Sequence, residues 1–254
     1  MLYLPGKKAH GLPYDPFKAC VIPRPIGWIS TTSPPSVSGA SESGSASGGC
    51  GVAAPQHNLA PFSQFNNLTF DPPYVMFAAN QTGSASRKDT VRNVEATGKF
   101  VWNLATWELR EKVNISAQQF EYGTDEFEVA GLDKSFSSHL PGDDANPVPM
   151  VERSPVKFEC VYHSTLRLPG NPPLGTVDVV IGRVVAVHIA DWALSHGRLD
   201  VRKTKPIARC GYYEYAVVDK TFEMVIPGMD EVILAGLEGN RERVEDLGKR
   251  KTKL

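Results

Sequence analysis
The sequence predicts a mainly β protein, an antiparallel barrel with peripheral helices to one side. Three observations carry that reading. Apolar stretches rich in Val, Ile, Phe and Tyr recur between proline and glycine punctuation. They come in the order strands, helices, strands, without the regular strand–helix alternation of a parallel sheet. The chain has 254 residues, a length at which a barrel commonly folds as one unit.

The elements follow in order. VIPRPIGWISTT (21–32) reads as a strand with a proline-rich entry. Between Ser36 and Gly51, 11 of 16 residues are Ser or Gly, too little apolar surface to offset the entropy of ordering them. Residues 33–55 are therefore expected to be a flexible insertion in the turn between two strands, with 36–51 dispensable for folding. Strands are expected at 57–66 and 73–80. In SRKDTVRNVEATGKF, Asp89 suits an N-cap, Val91 and Val94 share a face of a helix over 90–97, and Gly98 suits the left-handed residue that ends it. FVWNL (100–104) reads as a short strand. Thr106 suits the start of a second helix, in which Leu109, Val113 and Ala117 recur at helical spacing. DEFEVAGL (125–132) reads as a third helix, and a polar loop follows near 141–149. Strands resume at VKFECVYHSTLRL (156–168), VDVVIGRVVAVHI (177–189) and RCGYYEYAVVD (209–219). The tail, 236–254, is mostly charged and reads as a frayed helix.

Composition narrows the function classes. A net charge of -1 gives no footprint for nucleic acid. No apolar run reaches the roughly 18 residues of a membrane span. The N-terminus, MLYLPGKKAHGLPYDPF, has no secretory hydrophobic block, so a cytoplasmic location is expected. In that setting the glycosylation-like triplets at Asn67, Asn80 and Asn114 are chance matches. The four cysteines (Cys20, Cys50, Cys160, Cys210) form no CxxC pair and read as free thiols.

Several motifs fail. Gly49-Cys50-Gly51-Val52-Ala53-Ala54 has the GxGxxA spacing of a dinucleotide loop, but no strand leads into it and Pro55 follows where a helix should run. There is no GxSxG elbow and no Walker A loop. The six histidines show no metal-ligand spacing, and His188, within a strand pattern, reads as structural. His139 and His196 read as loop residues. Asp125, Glu126 and Glu128 read as a charged helix start. No metal site and no catalytic acid, base or nucleophile is expected, which suits a protein whose cofactor does the chemistry.

Two features survive. SRKDT joins Arg87 and Lys88, the hydroxyls of Ser84, Ser86 and Thr90, and a helix N-terminus, which together suit a phosphate. The bland alternative is a solvated basic turn before a helix. Ser30, Thr31 and Thr32 end the first strand, and Asn58, Ser63 and Asn66 line the next. If the strands pair, these polar groups face one groove, with Trp28, Phe62 or Phe65 as apolar cover for a flat ligand. The alternative there is ordinary core aromatics with polar strand ends.

RPIGWIST (24–31), NLAPFSQFN (58–66), DPPYVMF (71–77), RKDTVRNVEATGKFVWNL (87–104) and SPVKFECV (154–161) together resemble the flavin reductase-like family, on its flavoredoxin-like branch. The resemblance spans about 14–218 and implies an antiparallel split β-barrel of Greek-key type, the FMN-binding split barrel. It implies FMN as cofactor, NADH or NADPH as electron donor, hydride transfer to flavin N5, a small-molecule substrate or electron acceptor, and a homodimer. Tyr212, Tyr213 and Tyr215 are candidates for its interface. Carried over by position, Ser30 and Thr31 would lie near the phosphate and ribityl chain. Asn58, Leu59, Ala60 and Ser63 would face the isoalloxazine edge. Asn66 would sit on the ribityl–phosphate side, and Arg87, Lys88 and Thr90 would hold the phosphate. The Ser/Gly-rich block departs from the short turn usual in this family. Two other readings stay open: an FMN-tethered enzyme with its own organic substrate, and a non-catalytic flavin- or haem-binding barrel.

Overall fold
The structure, a computed structural model, describes residues 12–37, 52–81 and 86–251. Its frame is a seven-stranded antiparallel sheet. The strands are β1 (Gly27–Thr32), β2 (His57–Phe62), β3 (Phe65–Phe70), β4 (Pro73–Asn80), β5 (Lys99–Asn103), β6 (Val156–Leu168) and β7 (Val177–Ile189), in the order β2-β1-β5-β6-β7-β4-β3. The first and last strands of that order are consecutive in the chain, joined only by Ser63 and Gln64. The sheet therefore curls until its two edges meet at that turn. This is the split barrel that the resemblance implies.

Strand β1 is buried along its whole length because both of its faces are covered. Side chains alternate across a strand. Ile29 joins the core beneath helix α1 (Asp89–Thr97), with Val91, Val94, Phe77 and Phe100. Trp28 points the other way, into a second cluster with Leu59, Val113 and Phe127 from α2 (Arg110–Ile115) and α3 (Glu126–Ala130). The Trp28 indole donates to Ser116 Oγ at 2.9 Å. Phe65 is equally committed, stacked on Trp102 with ring centroids 5.3 Å apart. All three aromatics expected as ligand cover are core residues: Phe62 and Phe65 lie in the first cluster, with Phe62 4.9 Å from the Phe77 ring, and Trp28 lies in the second. Core packing also explains Gly182 on β7: a Cβ there would meet Cε1 of Phe100, from β5, at 2.4 Å.

Most elements fall where the periodicity puts them, and β6 and β7 keep their expected ends. Four do not. The strand expected over 57–66 is two strands. The one expected over 209–219 is a hairpin, Ile207–Gly211 with Glu214–Val217, turned through Tyr212 at φ 43°. Tyr212, Tyr213 and Tyr215 are exposed on the single chain. Lys88, not Asp89, is the N-cap of α1, while Gly98 is left-handed at φ 73°. Thr106 precedes a 3-10 turn, with α2 starting only at Arg110.

The Ser/Gly-rich block joins two strands that are antiparallel neighbours, with Thr32 opposite His57. Ser36–Val37 pairs with Val52–Ala53 across its neck. Residues 38–51, and with them most of the expected insertion, lie outside the described residues. Met1–Asp219 forms one unit, and Lys220–Leu254 a second. The second holds two helices, Glu231–Leu237, capped by the Asp230 carboxylate, and Arg241–Lys251.

Candidate functional site
A cleft of about 350 Å³ opens beside β2, within the usual range for small-molecule sites. Its walls are Asn58, Ala60, Pro61 and Phe62 from β2, Ser86–Thr90 and Arg92 at the start of α1, Ser116–Phe120 and Tyr122 after α2, and Glu126 at the start of α3. The N–H groups of Val91 and Arg92 both turn back to Lys88 O, so the Asp89 and Thr90 N–H groups are the ones facing outward from this helix end.

The cations of SRKDT differ in what they can do. Arg87 borders the cleft, but its guanidinium is gripped by Glu95 (2.6 and 2.7 Å) and by Asp178 (3.0 Å). Those hydrogen bonds raise its pKa still further, and its charge is already neutralised. Lys88 makes no salt bridge among the described residues. Arg92 lies one helical turn on, on the same face of α1, with its guanidinium 4.5 Å from the Tyr122 ring. It is a cation that the sequence reading missed, although the spacing from Lys88 signals it.

Asn58 is the hub of the inner wall. Its Oδ1 accepts from Thr90 Oγ1 at 2.7 Å and Thr31 Oγ1 at 3.3 Å. Asn93 Nδ2 in turn donates to Thr31 Oγ1 at 3.1 Å. The Asn58 Nδ2 donates to both Glu126 oxygens, at 3.0 and 3.1 Å. One side chain thus ties β1, β2, α1 and α3 together.

Glu126 is the functional group that the sequence hid. Strand β2 is a sheet edge, so every second N–H points away from β1. Leu59 is such a position, and its N–H donates to Glu126 Oε2 at 2.9 Å. Two residues on, Pro61 has no donor to satisfy. The charged helix start does exist: Asp125 caps Phe127 N at 3.0 Å and pairs with Lys134 and His57. Glu126, however, turns inward with Phe127 and Ala130. Burial pushes its carboxyl up to about 7, against the pull of the Leu59 and Asn58 donors.

Of the ten residues expected to hold FMN, Asn58, Ala60, Arg87, Lys88 and Thr90 border this cleft. Ser30, Thr31 and Leu59 are fully buried behind it. The Ser30 hydroxyl is used within the sheet, accepting from Asn103 Nδ2 at 3.1 Å. Ser63 lies in the β2–β3 turn and Asn66 is exposed on β3, neither on the cleft wall.

A family model described as flavin reductase like domain matches residues 20–204. An uncharacterized protein of Aquifex aeolicus is 30% identical over 196 residues, covering 76% of this chain and 84% of its own. Nitrilotriacetate monooxygenase component B from Bacillus cereus superposes with a TM-score of 0.69 at 26% identity, over 88% of this chain and 98% of that one. Flavoredoxin of Desulfovibrio vulgaris superposes at 0.62 with 15% identity, over 87% and 98%, a likeness of fold. The matched span includes the sheet strands and the segments that build the cleft, and this chain belongs to the flavin reductase like domain family.

Proposed function
We propose that this chain is an FMN-binding oxidoreductase that takes electrons from NADH or NADPH, with FMN held in the cleft beside β2. Family membership supports flavin-linked redox chemistry. The observation that carries the site is the meeting of an open helix N-terminus, Lys88 and Arg92 with the apolar residues Ala60, Pro61 and Phe62. The first group fits a phosphate and the second the face of a ring system. FMN, when bound, supplies a two-electron centre that accepts hydride and passes the electrons on.

The protein's part is binding and orientation. The Asp89 and Thr90 N–H groups and the Lys88 ammonium would hold the phosphate. The Asn58 hub fixes α1 against β2, so the phosphate end and the ring end stay in register. Glu126, able to hold a proton near neutral pH, sits on the cleft wall where charge on a bound ring system would be felt.

The phosphate assignment separates FMN from riboflavin, which lacks that group. Charge-assisted hydrogen bonds contribute roughly 1.5–3 kcal/mol each. Lys88→Ala should weaken FMN binding by about 10- to 100-fold and leave riboflavin unchanged. Fluorescence titration of both flavins checks this. Equal losses for the two would reject Lys88 as a phosphate ligand.

A further inference from the structure
A second cluster of polar side chains gathers away from the residues that line the cleft. Glu159 on β6 is fully buried, and its carboxylate is met by two imidazoles. His188 Nε2, from β7, lies 2.6 Å from Oε1. His139 Nδ1, from the loop after the strand Lys134–Phe136, lies 3.3 Å from the same oxygen. The three ligand atoms lie within 4.8 Å of one another.

The hydrogen-bond count around this carboxylate is uneven. Oε2 accepts from His139 N at 2.8 Å. Oε1 faces Ser138 N at 3.3 Å as well as both imidazole nitrogens. Two imidazole N–H groups and one backbone N–H would crowd an oxygen with two lone pairs. His139 Nδ1 also meets Ser138 Oγ at 3.1 Å, which can donate to it, but His188 Nε2, 2.6 Å from Oε1, must carry either a proton or a shared cation. Among the described residues, the ion-pair partners of Glu159 are these two histidines only, with no Lys or Arg. Lys157 stands opposite His188 in the strand pair, but its ammonium is drawn off to Glu152 O at 3.1 Å.

The scaffold is rigid on all three sides. Glu159 and His188 are diagonal neighbours across the β6–β7 pair. The His139 loop is pinned by Asp143, which accepts from Ser137 Oγ and Leu140 N and pairs with the buried Lys99.

We propose that His139 Nδ1, Glu159 Oε1 and His188 Nε2 form a site for Zn²⁺, with a water from the exposed His139 side as the fourth ligand. Two imidazoles and one carboxylate suit zinc, whereas Mg²⁺ and Ca²⁺ favour all-oxygen sets. In tetrahedral zinc the ligand atoms stand about 3.3 Å apart. The His139 pair already matches, and His188, one-third exposed, has to step back by about 0.7 Å. The ion would tie the 137–148 loop to the β6–β7 hairpin. This departs from the sequence reading, in which the histidines have no ligand spacing. The reason is that the ligands come from three segments.

The test uses untagged full-length protein stripped with EDTA, titrated calorimetrically with ZnCl₂. One Zn²⁺ per chain is expected, with a rise in unfolding temperature on loading. His139→Ala and His188→Ala should each weaken binding at least about 10-fold, and the double variant should abolish both effects. Both side chains are partly exposed, so the variants should keep the wild-type circular dichroism. Absence of Zn²⁺ uptake by the wild type, or uptake and stabilisation unchanged in the folded double variant, would overturn the site.

Discussion
Glu126→Gln should flatten the pH dependence of stability on the alkaline side. The folded chain holds the Glu126 proton up to about 7, against 4.5 for an unperturbed glutamate. The group's folded pKa is therefore raised, and its contribution to stability is complete below about 4.5 and lost as pH rises through about 7. Each pKa unit is worth about 1.4 kcal/mol. Wild type should lose roughly 2 kcal/mol from this group between pH 5.5 and 8.5, and about 3 kcal/mol over the whole range. The glutamine side chain of the variant is neutral throughout, so the variant should not show that loss. Urea unfolding of both proteins at pH 5.5 and 8.5 measures the difference directly. Parallel stability profiles would mean that Glu126 titrates in the folded protein as it does in water.

Asn58→Leu should cost about 3 kcal/mol at neutral pH, because three buried groups, Thr31, Thr90 and Glu126, lose a partner at once. Thr90 Oγ1 loses its 2.7 Å acceptor, and both Glu126 oxygens lose a donor. The penalty should be larger at pH 8.5, where Glu126 is ionised, than at pH 5.5. Thr31→Val is the internal comparison. It removes one hydroxyl with longer bonds, 3.1 and 3.3 Å, and should cost about 1 kcal/mol. Equal effects for the two substitutions would show that Asn58 is not the hub of the network.

The two longest strands were legible for different reasons: eight of the thirteen residues of β7 are Val or Ile, and in β6 Val156, Phe158 and Cys160 alternate with Lys157 and Glu159 in a run bounded by Pro155 and Pro169. The β2–β3 break was not. Ser63-Gln64 carries none of the Gly, Asn or Pro that mark tight turns, and the hydrophobic pattern runs through it. Tyr212-Tyr213 hid the second hairpin for the same reason, since an aromatic residue at positive φ is an unusual turn former. At the cleft, local signals found the start of α1 because the cation, the hydroxyls and the helix end are adjacent in the chain. They could not show that Arg87 is consumed by Asp178, which lies 91 residues away. Nor could they show that Glu126 seals the edge of β2, 67 residues back from its own helix. The polar residues of β1 and β2 were read as lining one groove, but which of them face a ligand and which face each other depends on strand pairing. Thr31 and Thr90 turn to Asn58, whereas Lys88 remains without a salt bridge among the described residues.

The proposed flavin chemistry is tested most directly by the visible spectrum of the purified chain, reconstituted with FMN and freed of excess, before and after NADH or NADPH without oxygen. Protein-bound flavin absorbance that bleaches on adding one of the two nucleotides is the expected result. A chain that retains no FMN, or a bound flavin that neither nucleotide reduces, would contradict it.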